Sequence, residues 1–496
     1  MKKFSQFYKK LNIIKNIKNF IANNIFIILI LILALLKGIF WIGLVPALQT
    51  PDADRHFSTI MWYAETKNSI LSQKQEYPGS NMFDSTTYSI PEEYREFLKV
   101  IQFEENRFNP NQHQEFNENS KVGIGENDLL NGELNPNFEK TPPTIVRYPF
   151  LYYETSSWFY NLFKNNSLID RLYIVRFYTL FIGLVTVFVS FKTAQLLDFS
   201  KKNASLVAGI IAFQPMLSFM NTSINVDSFL ILGMSLFVFF SISILKKPWE
   251  WRNVIGILSA CFISVFSKPA GYTTLLFLIL LFFYKLFIDS RNLKKKIIYL
   301  IISISSSLII IYALYKLIPT LSKILSVSNY FSSIPEAITA YLSNHFSSLE
   351  QYRLFGSYWG WFGWFDYSMN KYIYLTILLV LIVGISSFFV YLFQKENSIP
   401  KKEKFIYIFL FLILIIFHLA IVYTEFNYFQ EVGKMYGLQG RYFLPMLLPA
   451  LLTTLKGYAY LSGKATFSYV LLTIFMFMIL LNFTALFCYI IPAYYL

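Results

Sequence analysis

Long apolar runs recur along the chain and are separated by short polar stretches. A run of about 20 apolar residues can cross a bilayer as an α-helix. On this basis we predict eleven spanning helices: Ile25–Val45, Ile174–Leu197, Ala204–Met220, Ser228–Leu245, Val254–Phe266, Tyr272–Ile288, Ile297–Leu317, Tyr372–Phe393, Phe405–Val422, Phe443–Leu455 and Phe467–Ile490. The fifth and tenth runs are short, so they either extend into their flanks or are re-entrant. The pattern predicts an all-α polytopic membrane protein.

Composition agrees with this class, since 55% of the residues are apolar and 19% are aromatic. The first apolar run lacks a small-residue cleavage site, which indicates an uncleaved anchor. Cys261 and Cys488 both lie in apolar runs, and they have no spacing typical of a disulfide framework or a metal site.

Lysine and arginine fall mainly on alternate loops, beginning with the arm before Ile25. Because these residues are retained on the cytoplasmic side, we predict a cytoplasmic N-terminus and an extracytoplasmic C-terminus. The net charge of +14 is then a topology signal, and no nucleic-acid partner is expected. High Asn, Lys, Ile and Phe content suggests an AT-rich genome and a bacterial cytoplasmic (inner) membrane.

The predicted spans divide the chain into six regions. They are a basic arm (1–24), the first helix (25–45), a first extracytoplasmic loop (46–173), helices two to seven (174–317), an aromatic-rich extracytoplasmic loop (318–371), and helices eight to eleven (372–496). Within the first loop, Pro91–Phe103 is expected to form an amphipathic helix on the membrane, and Asn106–Thr144 an irregular coil or mobile flap. The aromatic run Tyr358–Tyr367 is either an interfacial belt or a stacking platform for sugar rings.

Acidic residues are nearly absent from the spans, whereas ion-coupled transporters usually carry buried carboxylates there. Basic or neutral polar residues do occur in the spans, and most lie close enough to a membrane face to snorkel. They include Lys37, Arg176, Lys192, Lys285, Lys316 and His418. The pattern therefore favours surface chemistry over transport.

Ionisable residues concentrate at the predicted outer ends of the helices. The candidates are Asp52, Asp54 and His56 in PDADRHF, Arg147 and Tyr148 in VRYPFLYY, Asn225 and Asp227 in NTSINVDS, Lys268 in SKPAG, Asp366 in GWFDY, and Arg441 and Tyr442 in QGRYFLP. Arginine and lysine hold phosphate through charge-assisted hydrogen bonds, and a carboxylate takes a proton from an attacking hydroxyl. This distribution fits recognition of an anionic headgroup at the membrane surface.

An ordered set of segments resembles the bacterial membrane-protein family DUF2142. These are PDADRHF, RYPFLYY, RLYIVRFYTLF, QPMLSFMNTSINVDS, SKPAG, GWFDY and QGRYFLPMLLPAL, from Pro51 to about Pro449. The resemblance implies a helical bundle like that of the GT-C membrane glycosyltransferases. It also implies a polyprenyl-phosphate-linked sugar as donor, an envelope glycan, lipid or protein as acceptor, and inverting transfer by an acidic residue of the first loop.

The first-loop motif departs from that family in one position. The family usually has Asp-Glu-x-x-His, whereas here Ala53 follows Asp52, and His56 keeps its spacing. The resemblance implies Asp52 as general base, with Asp54 as the alternative, and both acids could instead cap a helix start.

Roles for the other polar residues follow from their positions. Arg441 is the first choice for the lipid phosphate, and Arg147 and Lys268 are second choices. Asn225 and Asp227 either cap a helix or bind acceptor hydroxyls or a divalent ion. We expect no cofactor, although a metal ion stays open. Two other functions also stay open: a flippase or exporter of lipid-linked glycans, and a non-catalytic envelope-assembly protein.

Overall fold

The computed structural model describes residues 2–66, 92–101, 103, 149–247, 250–289, 334–394, 401–435 and 437–495. The helices are α1 (Lys2–Leu44), α2 (Ala53–Thr66), α3 (Glu92–Val100), α4 (Leu151–Leu162), α5 (Leu168–Leu196), α6 (Lys201–Ala212), α7 (Pro215–Asn221), α8 (Asp227–Lys246), α9 (Trp251–Val265), α10 (Thr273–Asp289), α11 (Ile334–His345), α12 (Ser348–Trp359), α13 (Lys371–Phe393), α14 (Lys401–Val432), α15 (Leu447–Ala485) and α16 (Ile491–Tyr495). Short 3₁₀ segments precede α10 (Pro269–Tyr272) and α15 (Gly440–Met446), a π-helical turn (Leu486–Ile490) follows α15, and strands β1 (Trp361–Phe362) and β2 (Tyr367–Ser368) form a hairpin.

The protein is an all-α polytopic membrane protein, as predicted. Six helices of the described residues are long and apolar enough to span a membrane, or seven if a bent pair counts as one span. They are Ala22–Leu44, Leu168–Leu196, Asp227–Lys246, Lys371–Phe393, Lys402–Val432 and Gly440–Tyr495, and the bent pair is α6 with α7.

The predicted count of eleven spans differs from this in three places. The predicted fifth and sixth spans are shorter apolar helices, Trp251–Val265 and Pro269–Lys285. The predicted tenth and eleventh spans form one helical length, interrupted at Gly463, where φ is +72°. The predicted seventh span, Ile297–Leu317, lies outside the described residues, as does the stretch 106–144.

The third predicted span bends by 70° between α6 and α7. Pro215 begins α7, and the side chain of Gln214 accepts a hydrogen bond from the Leu217 backbone N–H. A bend frees backbone carbonyls that need partners inside a membrane. Lys37 Nζ supplies one by donating to the Ala212 carbonyl at 2.5 Å and to Ser218 Oγ at 2.6 Å. Lys37 therefore stabilises the bend.

Helices α2, α3, α4 and the start of α5 pack together beside the spans. The predicted helix within Pro91–Phe103 is present as α3, but its apolar face packs into this unit and does not lie on the membrane as predicted. The rings of Tyr94 and Phe57 lie 5.6 Å apart. Buried Glu93 forms an ion pair with Arg171 of α5. Residues 47–48, which lie between α1 and α2, pack against this unit.

The aromatic run forms the β1–β2 hairpin and packs into the interior. Phe362 and Trp364 are buried. The ring centroid of Phe362 lies 5.7 Å from that of Trp41 in α1. Trp364 Nε1 donates to the Leu48 carbonyl at 3.3 Å. Much of the run therefore supports the turn after α1 from inside the protein, a role that neither sequence interpretation included.

Candidate active site

A sharp turn between α1 and α2 presents Asp52. Its φ of +64° is left-handed, a conformation that Asp and Asn adopt more readily than most residues. Asp52 Oδ2 accepts a hydrogen bond from Arg441 Nη2 at 2.7 Å, and Arg441 Nη1 donates to the Pro51 carbonyl at 3.3 Å. The Arg441 side chain is 2% exposed, whereas that of Asp52 is 39% exposed. The pair therefore joins a fixed guanidinium to a carboxylate with access to solvent.

The charges around Asp52 set its protonation. Burial by itself would raise the pKa of Asp52, but Arg441, with contributions from His56 and Lys268, lowers it to about 2. Opposite charges within hydrogen-bond distance favour the ionised carboxylate. Asp52 is therefore an anion at neutral pH, and a weak base while Arg441 holds it.

Asp227 and Lys268 form a second ion pair in the same region. Lys268 Nζ lies 2.5 Å from Asp227 Oδ1, and the Asp227 side chain is buried. Asn225 Oδ1 accepts from the Asp227 backbone N–H at 2.7 Å and so forms an Asx turn just before α8. The N-cap of α8 is Val226, which makes no side-chain hydrogen bond, so the predicted capping role of Asn225 is not observed. The Tyr442 ring lies near two cations, with its centroid 4.7 Å from Lys268 Nζ and 5.4 Å from Arg441 Cζ.

His56 lies one helical turn after Asp52 and is buried. Its Nδ1 is 2.8 Å from the Tyr153 hydroxyl of α4. Burial lowers the pKa of His56 to about 4, although the charges of Asp52 and Asp227 oppose the shift. The imidazole is therefore neutral at pH 7. Tyr153 was not among the predicted site residues, although it lies in the quoted segment VRYPFLYY.

Arg176 connects the segment before Asp227 to the segment before Asp52. Its Nε donates to the Thr222 carbonyl at 2.8 Å, and its Nη1 donates to the Val45 carbonyl at 2.9 Å. Thr222 directly follows α7 and precedes Asn225 and Asp227, and Val45 directly follows α1 and precedes the Asp52 turn. The sequence placed Arg176 in a group of residues most of which could snorkel, but its side chain is buried between the ends of α1 and α7.

The predicted site residues separate into three groups. Asp52, His56, Asp227, Lys268, Arg441 and Tyr442 come together, and Asn225 forms the turn that precedes Asp227. Asp54 and Asp366 make contacts outside this cluster. Arg147 and Tyr148 lie outside the described residues.

Asp54 contacts α3, and Asp366 contacts the β1–β2 hairpin to which it belongs. The Tyr94 hydroxyl donates to the Asp54 carbonyl at 2.9 Å, and the pKa of Tyr94 is raised by burial and by the charge of Asp54. Asp366 Oδ2 accepts from the Trp364 N–H at 3.0 Å within the hairpin turn. Burial raises the pKa of Asp366, although this hydrogen bond opposes the shift. Asp366 therefore shapes the hairpin.

No group of three or more His, Cys, Asp or Glu side chains in the described part of the chain is arranged to hold a metal ion. The cationic groups of the cluster, Arg441 and Lys268, are suited to an anionic ligand instead.

An apolar cavity of about 540 Å³ adjoins the charged cluster. Its walls come mainly from α12, α13, α14 and α15, with Gln351 and His418 among the few polar side chains. Gly440 and Phe443 also line it, and they flank Arg441 and Tyr442 in the chain. The apolar cavity and the cation-bearing cluster thus share the short segment 440–443.

Comparisons with known proteins give a family match and three matching chains among the solved structures. The model of DUF2142, described as a predicted membrane protein, matches residues 35–450. None of the curated proteins matches the chain. ArnT from Cupriavidus metallidurans bound to undecaprenyl phosphate is 13% identical over 94% of this chain and 74% of that chain, with a TM-score of 0.40. Its apo state is 13% identical over 95% and 74%, with a TM-score of 0.39.

Proposed function

The chain belongs to the DUF2142 family of membrane proteins, and we propose that it is a glycosyltransferase that uses a polyprenyl-phosphate-linked sugar. The acceptor is an envelope glycan, lipid or protein on the extracytoplasmic face of a bacterial inner membrane. The observation that carries this proposal is the charged cluster beside the apolar cavity. A lipid-linked sugar combines the same two chemistries, an anionic phosphate and a long apolar chain.

The cavity suits the apolar part of the donor. Burial of apolar surface contributes roughly 25 cal/mol per Å², so several isoprene units in about 540 Å³ would anchor the lipid. The phosphate would then lie near Arg441, beyond the cavity wall at Gly440. Arginine is the side chain best suited to holding phosphate by two parallel hydrogen bonds.

The reaction that we propose is a displacement at the anomeric carbon. An acceptor hydroxyl attacks that carbon and forms the new glycosidic bond, while the bond between the sugar and the phosphate oxygen breaks. The polyprenyl phosphate leaves with the electron pair, and Asp52 accepts the hydroxyl proton. Attack opposite the leaving group inverts the configuration. A general base of this kind contributes about 10²–10⁴-fold in rate.

The neighbours of Asp52 have supporting roles. Lys268 and Asp227 hold each other at 2.5 Å and keep the positive charge of the lysine close to the site. Neutral His56 hydrogen bonds to Tyr153 and fixes the first turn of α2 against α4. These contacts would keep the donor and Asp52 in a constant geometry, which is itself a source of rate enhancement.

The test is mass-spectrometric profiling of surface glycans and lipid-linked sugars in a deletion strain. The strain is complemented with the wild-type protein, with Asp52→Asn, or with the control Asp198→Asn. Asp198 is an exposed acid that pairs with Lys246 away from the site. We expect Asp52→Asn to leave one glycan short of a sugar and to accumulate its lipid-linked donor, and Asp198→Asn to restore the profile.

Two outcomes would contradict the transferase proposal. Full restoration by Asp52→Asn would remove Asp52 as the base. Glycans that are complete but retained on the wrong side of the membrane in the deletion strain would instead indicate a flippase or exporter.

A further inference from the structure

We propose that Asp52 and the phosphate of the donor compete for Arg441, so that phosphate binding releases Asp52 to act as the base. This inference rests on the proposed function and deepens it. It assigns to the ion pair between Asp52 and Arg441 a role in timing: the carboxylate is held in the resting protein and freed when the donor arrives.

Arg441 is the fixed partner of this pair. Its side chain is 2% exposed, and Nη1 is held by the Pro51 carbonyl. Nε has no hydrogen-bond partner among the residues that the structure describes. A buried guanidinium with an unused donor can take a further acceptor, and phosphate oxygens are suited to its planar geometry.

Asp52 is the partner that can move. Its carboxylate is 39% exposed and is attached to a backbone at φ +64° in a turn between two helices. The other charged and titratable groups facing it are His56, Lys268 and, through these, Asp227. Lys268 is already paired with Asp227, so Arg441 is the principal cation holding Asp52.

Competition would couple proton transfer to departure of the lipid phosphate. In the donor the phosphate is a diester with one negative charge, and it becomes a dianion as the bond to the sugar breaks. Arg441 would then bind the phosphate more strongly in the transition state than in the ground state, which is the condition for catalysis. Asp52, losing its cation, would become a stronger base at the moment when the acceptor hydroxyl must lose its proton.

The experiment measures binding to the full-length protein in detergent, with undecaprenyl phosphate and inorganic phosphate as separate probes. The variants are Asp52→Asn, Asp52→Gly and the control Asp198→Asn. Glycine suits the positive φ of residue 52, so the second variant removes the carboxylate while relieving backbone strain. Thermal unfolding verifies that each variant is folded.

We expect both Asp52 variants to bind undecaprenyl phosphate about 10- to 100-fold more tightly than wild type, because one charge-assisted hydrogen bond no longer competes. The control should bind like wild type. The tightening should disappear when Arg441→Met is combined with Asp52→Gly. If inorganic phosphate shows the same tightening, the phosphate group alone competes with Asp52 for Arg441. If only undecaprenyl phosphate shows it, the competing group is the phosphate of the lipid headgroup. Either result supports the inference.

Two results would overturn the inference, and they differ in what else they remove. Unchanged or weaker lipid-phosphate binding by both Asp52 variants, with binding by wild type, would refute competition and leave the proposed function standing. Absence of binding by wild type and by every variant would remove the inference together with the lipid-phosphate donor.

Discussion

Replacing Arg176 by methionine should destabilise the protein by about 1–3 kcal/mol. Arg176 is buried and donates to two carbonyls, those of Val45 and Thr222. A hydrogen bond from a charged group contributes about 1.5–3 kcal/mol in water-soluble proteins. In a membrane protein the freed carbonyls find other partners in the unfolded state, which reduces each contribution to about 0.6 kcal/mol on average and about 1.7 kcal/mol at most. Two bonds then give the stated range.

The assay is equilibrium unfolding in mixed detergent micelles, followed by tryptophan fluorescence. The matched control is Arg353→Met, because the Arg353 side chain is 53% exposed and pairs with Glu350 three residues earlier on the same helix. Such an exposed pair contributes about 0.3–0.5 kcal/mol. Arg176→Lys retains a charge but loses the forked geometry, so it should lie between wild type and Arg176→Met.

The comparison can refute the reasoning directly. If Arg176→Met loses no more stability than Arg353→Met, the two carbonyl contacts do not hold the ends of α1 and α7 together. A loss for Arg176→Met that Arg176→Lys restores completely would show that charge alone, without the two-point geometry, is sufficient.

Three further predictions concern other parts of the fold. Folding lowers the pKa of His56 from its ordinary 6.5 to about 4. The stability that comes from keeping His56 neutral is therefore complete above pH 6.5, and about 3 kcal/mol of it is lost as the pH falls to 4. Unfolding free energy measured against pH should show this loss in wild type and not in His56→Gln. Glu93→Gln removes the ion-pair partner of buried Arg171 and should lower the free energy of unfolding by about 3–5 kcal/mol. The exposed control Glu96→Gln should lower it by less than about 0.5 kcal/mol. Equal losses of the two variants in chemical unfolding would contradict this prediction. Gly457→Ala would place a methyl group 1.9 Å from a backbone carbonyl of α13 and should lower the melting temperature, whereas Gly43→Ala, which faces open space, should leave it nearly unchanged.

The spans were largely predictable because hydropathy over about 20 residues is a strong signal. The bend between α6 and α7 was not predicted, because the apolar pattern continues across Pro215; a proline in such a run indicates a possible break but not a 70° change in direction. The role of Lys37 was missed for the same reason: the carbonyl to which it donates is exposed only by that bend. Both features depend on tertiary packing.

The sequence predicted which residues come together in the candidate site better than it predicted which of them form ion pairs or hydrogen bonds. Charges at outer helix ends indicated a common surface, and the structure brings six of the predicted residues together. Asp54 and His56 both lie in α2, two positions apart, so their side chains point about 200° apart around the helix. Asp52 lies in the turn before α2, and its direction is set by that turn. Which acid pairs with Arg441, and that Tyr153 and Arg176 belong beside them, depends on three-dimensional contacts that spacing does not encode. The roles of these residues stay predictions.

The most direct test of the central claim is release of polyprenyl phosphate by the purified protein. The protein is placed in lipid nanodiscs with the lipid-linked sugar fraction and the envelope fraction of its host, and the free lipid phosphate is quantified by mass spectrometry. We predict release by wild type and by Asp198→Asn, with a rate at least about 10²-fold lower for Asp52→Asn. Equal release by Asp52→Asn, or none by wild type with both fractions present, would contradict the account.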